Sequence, residues 1–321
     1  MKAVLCALCA VLAFPASTVA QERYPSRPVT LVVPYGPGGA ADIAARPLAQ
    51  ALERELGQPF LVVNRAGASG AIGTAQVAGA APDGYTLMVA VVQMSVLPDV
   101  DVLFGRKPSY AREQFTGLAR LTAEPVVFMA KAQAPWTSLR DMIDDARKRP
   151  GKLTYATGGA YAGNHLPFAM LAQSAGADLV AIPYKGGGPS MLAALTGEVD
   201  MTAQTPGVAL GHVRSGKVRA LAHSGAALLK ELPEVPTLKS LGHDVEFYLW
   251  AGFFAPASLP APILATLREA TDRAMRGEVM RTTAAAMNLT LAYQGAEEFT
   301  KWWSEDAARL SRTVRSMGKI E

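Results

Sequence analysis

The chain has 321 residues, of which half are hydrophobic and 18% charged, with a formal net charge of +4 and no low-complexity tract; this composition excludes a disordered polymer. Lys and Arg are scattered rather than clustered, so the basic balance offers no nucleic-acid surface and at most a mild attraction for anions.

The first twenty residues read as a secretory signal: Lys2, an apolar run from Ala3 to Phe14, then small residues ending at Ala20. Cleavage there would remove both cysteines, Cys6 and Cys9, so the exported chain is expected to have no disulfide and no thiolate metal site. No later stretch approaches the ~18 to 20 apolar residues of a membrane span. The expected location is the periplasm. About 300 residues would remain, enough for two domains with good cores.

Strand-like apolar runs near 29–34, 60–63, 85–91, 125–130, 153–156, 179–183, 199–203 and 217–222 alternate with helical patterns, the βαβ order of an open parallel sheet. Helical stripes cover 42–56, closed by Gly57, and 187–196, closed by Gly197. Pro47 should kink the first helix or restrict its first turns. Residues 98–115 read as polar and irregular, and a charged helix spans 138–149. The tail from Ala296 to Val314 is amphipathic, with Phe299, Trp303, Leu310 and Val314 on one core-packing face. The chain is expected to cross into a second domain near 123. Its return is marked by Pro233 to Pro236 and the aromatic run that starts at Phe247.

Four strand-to-helix turns carry the chemistry. In the first, Val29 to Val33 empties into Tyr35-Gly36-Pro37-Gly38-Gly39, and the helix that follows aims free N–H groups and its positive dipole end over the turn. Asp42 sits in that helix's first turn. The second turn, Asn64 to Gly73, brings Gly67 and Ala68. Its glycine spacing is a poor dinucleotide fingerprint, because it is not the first βα turn and no acidic residue ends the next strand. The third, Thr154 to His165, offers the Thr157 hydroxyl and a possible amide nest around Gly159. The fourth, Ile182 to Pro189, holds Tyr184 and Lys185, the lysine being either a charge for the ligand or a surface residue. Catalytic constellations are missing: His165, His212, His223 and His243 are unclustered, and there is neither a Gly-x-Ser-x-Gly elbow nor a Walker lysine. The reading is therefore a binding protein, not an enzyme, with no cofactor and no metal.

These residues together resemble the solute receptors of tripartite tricarboxylate transporters, the Bug family. The matching stretches are Val32 to Gly39 with Asp42, Asn64 to Gly73, Ala81 to Leu87, His165-Leu166 and Pro183 to Gly186. The resemblance implies an α/β, two-lobe, type II-like periplasmic binding protein, each lobe a mainly parallel sheet flanked by helices. Lobe I would comprise 21–123 and 247–321 and lobe II 124–246, joined by two crossing strands. It further implies a monomer that closes over a small di-, tri- or aromatic carboxylate and docks on membrane permease subunits, or alternatively on a sensor-kinase ectodomain. Relative to the family, this chain carries Tyr161 and Ala162 where glycine and serine are usual, Gln204 where an acidic residue often stands, and Gln93-Met94-Ser95 after the third strand. Gln204 has no charge for an ammonium, which disfavours amino-acid ligands. Tyr161 either narrows the pocket toward planar acids or packs outward against its loop.

Overall fold

A computed structural model describes residues 24–320, so the expected signal segment lies outside the described residues. In chain order the elements are β1 (Val29–Val33), α1 (Ala40–Leu56), β2 (Phe60–Asn64), α2 (Ala71–Ala78), β3 (Thr86–Val91), α3 (Gln93–Leu103), β4 (Phe115–Pro125) and β5 (Val127–Lys131). They continue with α4 (Leu139–Lys148), β6 (Leu153–Thr157), α5 (Leu166–Ala175), β7 (Leu179–Pro183), α6 (Gly187–Thr196), β8 (Met201–Gln204), α7 (Pro206–Arg214) and β9 (Val218–His223). β10 (Tyr248–Pro256), α8 (Ala261–Arg276), α9 (Glu278–Ala286), β11 (Leu291–Gln294) and α10 (Ala296–Met317) complete the chain.

The strands form two sheets, ordered β11-β4-β10-β3-β1-β2 and β7-β6-β8-β5-β9. Each is mixed. Pairing is parallel where the βαβ pattern was read, at β2-β1-β3 and at β7-β6-β8. It is antiparallel around β10 and β5, because these strands enter their sheets directly from the connections between sheets and need no crossover helix.

The chain passes from one sheet to the other at Val126, between β4 and β5, and returns through residues 224–247 into β10. Buried Ser224 ties the two passages together: its hydroxyl donates to the Phe247 carbonyl at 2.6 Å and accepts from the Val126 N–H at 3.0 Å. α10 lies along the first sheet, burying Phe299, Trp303, Leu310 and Val314, with the Trp250 indole donating to Asp306 at 2.9 Å.

The irregular reading of 98–115 is corrected by the structure, which has α3 running through Pro98. A proline there deprives the Met94 carbonyl of its helical partner. The Tyr110 hydroxyl, donating to that carbonyl at 2.9 Å, replaces the missing bond. Pro47 likewise sits inside one continuous α1. Residues 115–125, read only at their very end as strand, form the eleven-residue β4.

Candidate functional site

The turns after β1 and β7 face each other. Gly36 N–H donates to the Lys185 carbonyl at 2.7 Å across the gap between the two sheets' turns. The glycines make this approach possible: a Cβ on Gly188 would lie 2.0 Å from the Pro37 carbonyl oxygen, and one on Gly36 2.8 Å from the Lys185 oxygen. A Cβ on Gly39 would stand 3.2 Å from the Gly187 nitrogen, so the starts of α1 and α6 almost touch. Neither start has a side-chain cap. Their first-turn N–H groups therefore lack intrahelical partners, and two positive dipole ends point at the same place.

That place is a small cavity of about 30 Å³ lined by Tyr35, Gly39, Ala40, Ala41, Val91, Gln93, Gly163, Asn164, Gly186, Gly187, Gln204 and Leu249. No charged side chain is among them. Asn164, 5% exposed, accepts the Gly158 N–H on Oδ1 at 2.7 Å. A backbone N–H can only donate, so the amide is oriented and its Nδ2 is the end left without a partner. Gln93, 4% exposed, likewise has a buried Oε1 with no partner. Burial pushes the Tyr35 phenol well above its ordinary value, which keeps it neutral. Two larger grooves, of about 630 and 600 Å³, open elsewhere; the first borders the start of α4, but that helix end is capped by its own Ser138.

Of the residues singled out from sequence, Tyr35, Gly39, Gln93 and Gln204 line the cavity, and Gly36 and Gly38 form the contact beside it. Several others brace the turns instead. The Asp42 carboxylate accepts from Gly38 N, from Arg46 Nε and Nη2 and from Asn64 Nδ2 at 2.8–3.0 Å, while Asn64 Nδ2 also donates to the Tyr35 carbonyl. Burial alone would raise the Asp42 carboxyl, but these hydrogen bonds hold it below its usual range. Thr157 closes its own turn against Gly159. His165 accepts the Tyr161 N–H on Nδ1 at 2.8 Å, and burial lowers it to about 4, so it stays neutral. Ala162 donates its N–H to the Gly159 carbonyl.

Five residues lie outside the cavity lining. Ser95 accepts the Trp303 indole N–H at 2.7 Å. Tyr184 packs with Ile182 on Ala193 and Ala194, and the Lys185 side chain is exposed. Gly67 and Ala68 shape the second turn, which packs under Tyr35 through Gly70 and meets Gly159 through Ser69.

The Tyr161 ring is fully buried, at φ 56°, edge-on to Phe104. Its hydroxyl donates to the Gly318 carbonyl at 2.8 Å and accepts the Ile320 N–H at 3.0 Å. Tyr161 is not in the cavity lining, and it does not pack outward against its own loop either: its polar group is used on the C-terminal backbone. Asn164 was passed over for its neighbour His165, although a short amide in a glycine-rich turn was a usable signal. Val91 and Leu249 carried none, being apolar residues that reach the cavity through tertiary packing alone. Among the described residues no group of three or more His, Cys, Asp or Glu could hold a metal, and no helix is long and apolar enough to cross a membrane.

The profile of the tripartite tricarboxylate transporter family receptor (TctC) matches residues 44–319. Protein BugT of Bordetella pertussis is 31% identical over 311 residues, covering 94% of this chain and 93% of that protein. Among solved structures, MatC from Rhodopseudomonas palustris with bound malate superposes at a TM-score of 0.82 with 28% identity, covering 90% of this chain and 99% of that one. A second R. palustris protein, solved with adipate, gives 0.84 and 25%, covering 92% and 98%.

Proposed function

The chain belongs to the tripartite tricarboxylate transporter receptor family, and we propose that it captures a small organic acid between its lobes in the periplasm and delivers it to the membrane permease of such a system. The observation that carries this reading is the convergence of two uncapped helix starts, α1 and α6, with the free Asn164 Nδ2 on a cavity lined by no charged side chain. Such a set of fixed donors suits an anion, since the N–H groups and dipole ends need no counter-charge to hold a carboxylate. The relatives solved with malate and adipate bind acids of this kind.

The cavity holds about 30 Å³, room for roughly one water and far below the ~300 Å³ or more of ordinary ligand pockets. A solute therefore enters only when the lobes part. We assign 124–246 as the moving lobe against the remainder, rotating about the passages at Val126 and 224–247. A thermal-shift screen of mono-, di- and tricarboxylates tests the reading: a ligand at a hundred times its Kd should add about 2.7 kcal/mol of apparent stability. If neutral or cationic solutes shift the melt and no carboxylate does, the reading is wrong.

A further inference from the structure

We infer that Gln204 selects solutes carrying a hydroxyl group beside the carboxylate, so that the ligand class is a hydroxy acid rather than a plain or amino acid; this rests on the carboxylate reading above. The argument runs from the backbone outward. The Ala156 carbonyl in β6 can only accept, so the Thr202 hydroxyl, 3.4 Å away, turns its hydrogen toward it. The Thr202 oxygen is then left to accept, and it does so from Gln204 Nε2 at 3.0 Å. This relay orients the Gln204 amide, which is 4% exposed, and leaves Oε1 on the side of Gly187, where Gln204 lines the cavity.

The cavity thus has two fixed polarities on one lobe. Asn164 presents a donor because Gly158 N–H occupies its oxygen, and Gln204 presents an acceptor because Thr202 occupies its nitrogen. A carboxylate suits the pole formed by Asn164 and the two helix starts. At Gln204 a second carboxylate oxygen would meet a carbonyl oxygen with no hydrogen between them, and the buried acceptor would be left unpaired. A ligand donor is required there. An ammonium would be held by neutral acceptors alone, the amide oxygens of Gln204 and Gln93, beside two positive helix ends and with no carboxylate in the lining, which makes a hydroxyl the better match.

Isothermal titration with three pairs, malate and succinate, lactate and propionate, mandelate and phenylacetate, together with aspartate, tests the assignment. Within whichever pair binds, the hydroxylated acid should be favoured about tenfold, and aspartate should bind no better than succinate. Thr202→Val, which removes the relay without touching the cavity lining, frees Gln204 to turn its NH2 inward, so the preference should collapse toward unity. Gln204→Met, which deletes the acceptor outright, should do the same and serves if the first variant fails to fold. A wild-type protein indifferent to the hydroxyl, a preference for aspartate, or a preference that survives both substitutions overturns the inference while leaving the carboxylate reading intact. If none of the seven acids binds, the comparison is made between the carboxylate that scores in the thermal screen and its deoxy counterpart, with the same expected preference; if no carboxylate scores there, the carboxylate reading itself falls and this assignment with it.

Discussion

Gly188→Ala should separate folding from binding. Gly188 is the second residue of α6, where alanine is the better helix former by up to about 1 kcal/mol, so parted lobes tolerate or prefer it. With the lobes together, the new Cβ would stand 2.0 Å from the Pro37 carbonyl oxygen, and the next neighbours, Pro37 C and Gly38 C at 3.1 and 3.2 Å, are backbone as well. Nothing there can rotate aside. Restoring an ordinary carbon–oxygen distance of about 3.3 Å requires the turns to separate by about 1.3 Å. That displacement breaks the 2.7 Å Gly36–Lys185 bond, worth about 1 kcal/mol, and pulls one helix start away from the solute, which costs at least one charge-assisted hydrogen bond of about 1.5 kcal/mol. Together these amount to a loss of about 2.5 kcal/mol, roughly seventyfold in Kd. Calorimetric titration with whichever carboxylate scores in the thermal screen measures this, and urea melts of the ligand-free protein supply the control. A folded variant with wild-type affinity would mean that the lobes of the loaded receptor do not meet at this point.

Asn164→Asp retains an acceptor for Gly158 N–H but replaces the free donor with a negative charge, so carboxylate binding should fall by more than about a hundredfold while the melt changes little; binding within threefold of wild type would remove Asn164 from the site. Tyr161→Phe should leave the rank order of carboxylates unchanged and cost about 1 kcal/mol, with faster amide exchange at Ile320; an altered rank order would return the ring to the pocket. Burial and the charge of Glu231 raise Glu124 to about 7 from its ordinary 4.5 despite the Thr290 N–H it accepts, so over that interval the folded chain holds a proton that the unfolded chain has released. Stability should accordingly fall as pH rises from about 4.5 to about 7. Glu124→Gln should gain on wild type between pH 5 and pH 8, by up to about 3 kcal/mol, and a gain that is the same at both pH values would refute the assignment.

The parts of the fold legible in the sequence are those whose causes are local. β-branched runs such as Val29–Val33 and glycines that close or open helices, such as Gly57 and Gly39, report their own conformation. α3 escaped because Pro98 signals a break, and the group that offsets it, the Tyr110 hydroxyl, is twelve residues further along the chain. The site divides in the same way. Its backbone donors are written in the glycine turns, whereas the choice among the polar side chains nearby is not. Asp42 follows the turn that holds Tyr35 and Asn64 ends β2, yet the two side chains meet each other, Asp42 also accepting from Gly38 and Asn64 also donating to the Tyr35 carbonyl. Gly38 and Arg46 are local to Asp42, but the meeting of Asp42 with Asn64 depends on the pairing of β1 with β2, which the spacing within either turn does not encode.

The absence of a charged lining around the cavity has a consequence for how the receptor reads its surroundings. Tyr35 is the one ionisable side chain in that lining, and it is held neutral; nearby His165 is neutral above about pH 4. Binding between about pH 5 and pH 9 should then follow the solute's own ionisation curve, with the cavity lining contributing no inflection of its own. A receptor built in this way measures the concentration of the anion rather than of the acid, and acidification would reduce capture only by protonating the cargo.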